Sequence, residues 1–229
     1  MSHVDPDIVS SVLTIIDTKY GKFVKITITW GKIHKYLGMT IDSSSPGKVI
    51  FPMFGYIGNM LYDIPEDIKG VSATPASRHL VYIEEDETKL SWTNADLFCH
   101  FVAQLLYLSK IAHTDIHLVV SFLCTRVIDN NNEYYKNLTR SKHYLQGIFC
   151  LPLTLSIDKS GEIKWYVDAE FSVHKYMRSR NDGFVTMVTW GANVQSIKQK
   201  LNTKISIEYK LVILDDFLTQ VIWTWYFLK

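Results

Sequence analysis

Ile163-Lys164-Trp165-Tyr166-Val167-Asp168 is an apolar run that ends in an acid, and the reading of the stretch it opens, through Leu211, decides the fold. Two further apolar runs follow, Gly183–Trp190 and Ala192–Ile197. Then comes Lys200-Leu201-Asn202-Thr203-Lys204-Ile205-Ser206-Ile207-Glu208-Tyr209-Lys210-Leu211. Short runs of β-branched and aromatic residues predict strands, and the Ser-led segment predicts a helix. An acid at a strand tip, further strands and a helix bearing another acid form the pattern of a two-metal nuclease site. Such a site needs several carboxylates from different elements, because magnesium prefers oxygen ligands and paired ions must be neutralised.

At 229 residues the chain has room for one large or two small domains. Its 47% apolar and 21% charged residues are ordinary for a globular protein. A net charge of +1 gives no global attraction to nucleic acid or to an acidic membrane surface. Local imbalance says more. Tyr62–Asp96 holds eight acids against three Lys/Arg, and Lys164–Lys210 holds eight Lys/Arg against four acids. The basic window would attract a phosphate backbone; an ordinary solvated face has the same composition. Cys99, Cys124 and Cys150 are isolated and odd in number, with no C-x-x-C pair. They predict no zinc site and read as small buried residues of a reducing compartment. No signal-peptide core opens the sequence, and no run reaches the roughly 18–20 apolar residues of a membrane span. The expectation is an intracellular protein, cytoplasmic or nuclear, with no membrane partner and an unused Asn137-Leu138-Thr139 sequon.

Taken in order, Asp7–Thr18 has helical spacing, with Asp5 placed as N-cap, Pro6 at the first turn and Gly21 as the stop. Phe23–Trp30 alternates and predicts a strand. Lys35–Asp42 predicts a second strand, Ser43–Gly47 a turn and Lys48–Phe51 a third. Phe54–Tyr62 predicts a short helix, ended by Pro65. Gly70–Glu87 reads as a loop. Helices are predicted over Asn94–Lys110, His113–Val127 and Asn132–Gln146, packed as a small bundle. His100, His117 and His143 read as surface or half-buried helix residues. The pattern turns strand-like after Pro152. Strands are predicted over Leu153–Ile157, Ile163–Phe171, Gly183–Trp190 and Asn193–Ile197, and a terminal helix over Ser206–Leu228. The domain boundary falls between Phe149 and Ser160, which divides the chain into 1–150 and 151–229. The expected class is α+β.

Six short blocks carry a family resemblance. They are Lys35-Tyr36-Leu37-Gly38-Met39-Thr40-Ile41, Ala73-Thr74-Pro75, Val102-Ala103-Gln104-Leu105-Leu106-Tyr107-Leu108, Thr114-Asp115-Ile116 with Val119-Val120-Ser121, Arg140-Ser141-Lys142-His143-Tyr144-Leu145-Gln146-Gly147, and Val167-Asp168-Ala169-Glu170-Phe171. In this order and spacing the chain resembles the C-terminal part of a copia-type retrotransposon reverse transcriptase followed by the start of its ribonuclease H domain. The resemblance implies the palm end, thumb and connection of the polymerase (hairpin strands plus a helical bundle), then an incomplete ribonuclease H-like α/β domain. The parent activities are RNA-directed DNA synthesis and cleavage of RNA in RNA–DNA hybrids, with magnesium as cofactor. The implied partners are RNA–DNA hybrid or other nucleic acid and the remaining segments of the polyprotein.

The same resemblance implies losses. The polymerase metal motif, Tyr-x-Asp-Asp in a tight hairpin, does not precede Tyr36, and Asp215-Asp216 lies in a predicted helix instead. Asp168 matches the first nuclease carboxylate. The helix block retains Glu208 but places Lys210 where the metal-binding Glu is expected. Two helix positions apart is about 200°, so Glu208 points away from the face of Lys210. The last two carboxylates are expected beyond Lys229.

The residues themselves leave alternatives open. Asp168 is a remnant metal ligand or a strand-end polar residue. Glu208 is a doubtful ligand or a first-turn anion favoured by the helix dipole. Glu170 could share the side of Asp168. Arg178, Arg180, Lys198, Lys200 and Lys204 form a nucleic-acid track or a basic surface. Trp165, Trp190, Trp223 and Trp225 read as core, and Tyr36 and Met39 as packing on their strand. Three functions stand: an inactive piece of the reverse transcriptase–ribonuclease H polyprotein, a non-catalytic nucleic-acid-binding module, or a genomic relic that folds marginally.

Overall fold

The computed structural model describes residues 6–62, 70–77, 80, 88–156, 162–174, 178–186, 191–199 and 205–228. The protein is α+β. Its elements are α1 (Pro6–Tyr20), β1 (Ile33–Tyr36), β2 (Met39–Asp42), β3 (Lys48–Phe51), α2 (Phe54–Tyr62), α3 (Trp92–Ile111), a 3-10 turn (Thr114–Ile116), α4 (His117–Cys124), α5 (Asn132–Gly147), β4 (Leu153–Ser156), β5 (Lys164–His174), β6 (Arg178–Thr186), β7 (Gly191–Lys198) and α6 (Ser206–Leu228). The strands form two antiparallel sheets, β1-β2-β3-β4 and β5-β6-β7. Among the described residues no helix is long and apolar enough to cross a membrane.

Two strand expectations change. Phe23–Trp30 is not a strand; Phe23, Val24 and Trp30 are exposed and pair with no ladder. Alternation alone does not supply a partner strand. Lys35–Asp42 is a hairpin, not one strand. Its two-residue turn, Leu37-Gly38, has positive φ at both positions, 49° and 78°. That is the twist a tight hairpin needs, usually supplied by Asn-Gly. A leucine there is strained, and the Tyr107 hydroxyl on α3 holds the turn by donating to the Leu37 carbonyl. Tyr36 is exposed at the hairpin end, whereas Met39 packs on the main core. Between β2 and β3, Asp42 Oδ1 accepts the Ser44 N–H at 2.8 Å. The hydrogen bonds of Ser44 hold the Asp42 carboxyl below the usual carboxylate range.

The large core lies around α3, whose Phe98, Phe101, Leu105 and Leu108 are fully enclosed by α2, α4 and α5. Ser91 caps α3 by accepting the Asn94 N–H, and Asn131 caps α5 by accepting that of Tyr134 at 3.0 Å. The helix expected over His113–Val127 is a 3-10 turn followed by a shorter α-helix. The first N-terminal helix buries only Val9, and its Asp5 cap lies outside the described residues, as does Pro65. Asn137 of the sequon is buried, donating to the Glu133 carbonyl and accepting from Ser77. Cys99 and Cys124 are half-buried; Cys150 is exposed in the turn after α5, contrary to expectation.

Leu153–Ser156 completes the first sheet by pairing with β3, so the two sheets divide after Ser156. The second sheet is a meander followed by α6, which lies on one of its faces. Ile213 and Phe217 of α6 pack on Trp165 and Val167. Trp223 and Trp225, expected in the core, are exposed; about 200° apart on α6, they flank the side formed by Ile213 and Phe217 instead of lying on it. Trp190 lies outside the described residues. Gly183 sits directly under Phe217, and a Cβ there would overlap the ring. Gly183→Ala is expected to destabilise the second sheet by about 1–3 kcal/mol through overpacking. Adding Phe217→Leu should recover part of the loss in a double-mutant denaturation cycle.

Candidate functional site

Strand periodicity positions the acids. Along β5, Trp165 and Val167 face α6, so Asp168 faces the other side. The register sets Asp168 opposite Asp182 on β6, and Asp182 opposite Ser196 on β7. The Ser196 hydroxyl donates to Asp182 Oδ1. A row of Asp168, Asp182 and Ser196 thus crosses the sheet at right angles to its strands. Asp168 is exposed and Asp182 half-buried. The sequence reading did not single out Asp182; only the antiparallel register reveals it.

Glu208 and Lys210 occupy the first turns of α6 and are both exposed. Because α6 covers the face opposite to the Asp168 row, the structure does not bring Glu208 to Asp168. Asp216, half of the helical Asp-Asp pair, has a structural role. Its Oδ2 accepts the Asn181 amide at 2.7 Å, and buried Gln199 donates to Asn181 Oδ1 and to the Tyr209 carbonyl. This chain of amides ties α6 to β6 and to the end of β7, and it was missed in the sequence. Among the described residues no group of three or more His, Cys, Asp or Glu could hold a metal ion. Among the described side chains, Asp168 and Asp182 are the two carboxylates that the register sets side by side, one fewer than the cluster of ligands a two-metal centre draws on.

The register gathers the basic residues. Arg178 pairs with His174, and Arg180 with Lys198, at the end of the sheet where β5 and β7 finish. Lys200 and Lys204 lie outside the described residues.

A cleft of about 350 Å³ separates the helical unit from β7, lined by Lys110, His117, Ser121, Cys124, Gln195 and Ser196, with Leu106. His117 is buried, not surface or half-buried as expected, whereas His100 is exposed and His143 half-buried. Two neighbours hold the His117 ring: its Nδ1 lies 3.2 Å from Ser109 Oγ, whose hydroxyl also donates to the Leu106 carbonyl at 2.9 Å, and its Nε2 lies 3.4 Å from Lys110 Nζ. Burial lowers the Lys110 ammonium and raises the Cys124 thiol relative to their ordinary values.

The quoted sequence blocks meet each other in space. Tyr107 holds the Leu37 carbonyl. Arg140 donates to the Thr74 carbonyl at 3.2 Å and hydroxyl at 2.8 Å, and Ser141 donates to the Pro75 carbonyl at 3.1 Å. The Tyr144 hydroxyl donates to Asp115 Oδ2 at 2.6 Å, with His113 Nδ1 at 3.4 Å from Oδ1. Burial alone would push the Asp115 carboxyl up; the His113 and Tyr144 hydrogen bonds and the His113 charge bring it below its ordinary value. Burial, then the Asp115 hydrogen bond and charge, push the Tyr144 hydroxyl up to about 12. Comparison with known protein families, with curated proteins and with solved structures finds no match for this chain.

Proposed function

We propose that this chain is a segment of a copia-type retrotransposon reverse transcriptase–ribonuclease H, running from the end of the polymerase palm into the first helix of the nuclease domain, and that it is catalytically inactive by itself. One observation carries this reading. Five of the six blocks that make up the resemblance supply the side chains and carbonyls that join distant elements: Leu37 with Tyr107, Thr74 and Pro75 with Arg140 and Ser141, Asp115 with Tyr144. Blocks that merely happened to look alike would have no reason to be mutual contacts. Three strands and then a helix, with Asp168 in the first strand, is also the order the resemblance requires. Inactivity follows from Lys210 at the ligand position and from α6 lying on the face opposite to Asp168.

The test is an RNA–DNA hybrid incubated with the purified chain and magnesium. No cleavage above the protein-free control is expected, and cleavage that disappears in Asp168→Asn would overturn inactivity. A second reading, a non-catalytic nucleic-acid-binding module, is favoured by the register that gathers Arg178, Arg180 and Lys198 at one sheet end. It requires hybrid binding that weakens steeply with added salt; no binding at low salt excludes it.

A further inference from the structure

The helix α6 carries a second apolar side that is largely exposed. Ile207, Leu211, Leu214, Leu218 and Trp225 are 66%, 60%, 54%, 52% and 58% exposed, and half-buried Val221 completes the series. Their spacing is four, three, four, three, four, which is the a/d repeat of a two-stranded coiled coil. The seam stands about a third of a turn from the side formed by Ile213 and Phe217, so a partner helix can reach it without displacing the sheet.

We infer that α6 is the interface of a parallel homodimer, the partner being a second copy of the same helix. Two observations select this occupant. The first is charge. With Leu211, Leu218 and Trp225 at a and Ile207, Leu214 and Val221 at d, Lys210 falls at g and Asp215 at e of the next heptad. These are the positions that face each other between parallel helices, so each Lys210 meets the Asp215 of its partner, twice by symmetry. Among the described residues neither forms an ion pair within the chain. An antiparallel pair would set e against e, the positions of Glu208 and Asp215, and lose this match. The second is area. The exposed seam amounts to about 600 Å² of residue surface per copy, of the same order as the roughly 800 Å² per partner of a standard interface, with exposed Lys210 and Asp215 at its flanks. The inference does not depend on the family reading, and it gives Lys210 a role that a nuclease site does not.

Sedimentation velocity on the full chain between about 1 and 200 μM tests it. A reversible monomer–dimer equilibrium is expected. Leu214→Asp should raise the dimer dissociation constant about a hundredfold or more, with unchanged helical circular dichroism because the side chain is half exposed. Lys210→Glu should raise it about three- to tenfold, and adding Asp215→Lys should restore it. Leu214→Cys should oxidise to a disulfide joining position 214 of both copies, mapped by mass spectrometry. A monomer throughout the range, or association indifferent to Leu214→Asp, overturns the interface. Association in which the 214 disulfide does not form, or in which the charge swap restores nothing, overturns the parallel arrangement.

Discussion

Phe98→Ala is expected to destabilise the helical unit by about 3–5 kcal/mol, which in urea shifts the unfolding midpoint by about 2 M. The ring is fully buried in α3, where it belongs to the cluster shared by α2, α4 and α5. Removing it both forfeits the transfer free energy of the aromatic side chain and leaves a cavity that four elements would have to close. A small domain has about 5–15 kcal/mol to lose, so the variant should lie near the limit of folding at 37 °C. The second sheet has its own small core around Ile213 and Phe217. Its melting should move less than that of the helical unit. Equal shifts in both would show that the two cores unfold as one.

Lys142→Met is expected to stabilise the protein by about 1–4 kcal/mol at pH 6–7. Lys142 is 1% exposed on α5 with its ammonium 3.1 Å from the centroid of the Phe101 ring. Cation–π attraction of up to about 2 kcal/mol does not replace a full hydration shell. Burial brings the lysine from 10.5 down to about 7. The folded-state pKa is depressed below the unfolded value, so between these pH values the unfolded chain binds a proton that the folded chain does not. The penalty is complete below about pH 7 and fades as pH rises toward 10.5, so stability rises through this window. The gap between wild type and Lys142→Met should therefore narrow steadily when chemical denaturation is repeated from pH 6 to pH 9.5. A gap that stays constant would mean that Lys142 does not change its protonation on folding.

Helices were the legible part. Apolar residues at three- and four-residue spacing placed α2, α3, α5 and α6 within about two residues of their observed ends, because that spacing is a local consequence of helix geometry. The same spacing contained the burial of Lys142, which stands between Leu138 and Leu145 on one face of α5; its charge argued against seeing it there. Strands were less legible because a strand is defined by a partner. Phe23–Trp30 alternates like β5 yet has none, and Lys35–Asp42 hides a turn whose first residue is leucine instead of the usual Asn. The neighbours of Asp168 illustrate the limit. Strand period fixes that it faces away from Val167, but only the pairing of β5 with β6 and β7 reveals Asp182 and Ser196 beside it, and only the packing of Ile213 and Phe217 separates it from Glu208. The His117–Lys110 pair likewise joins two helices whose mutual rotation no local pattern sets.

The pairing of β3 with β4 has a consequence for synthesis. The strand at Lys48–Phe51 leaves the ribosome about a hundred residues before its neighbour at Leu153–Ser156. At roughly 5–20 residues per second, its open edge waits about 5–20 seconds. The α3–α4–α5 bundle emerges within that interval and is built from local contacts that form in far less time. Met39 and Phe51 of the waiting strands pack onto this bundle, so the helices shelter the inner face of the sheet before its last strand arrives. Pausing translation within Asn132–Pro152 should thus prolong the lifetime of the edge-exposed species, and with it the period in which nascent copies can pair with one another.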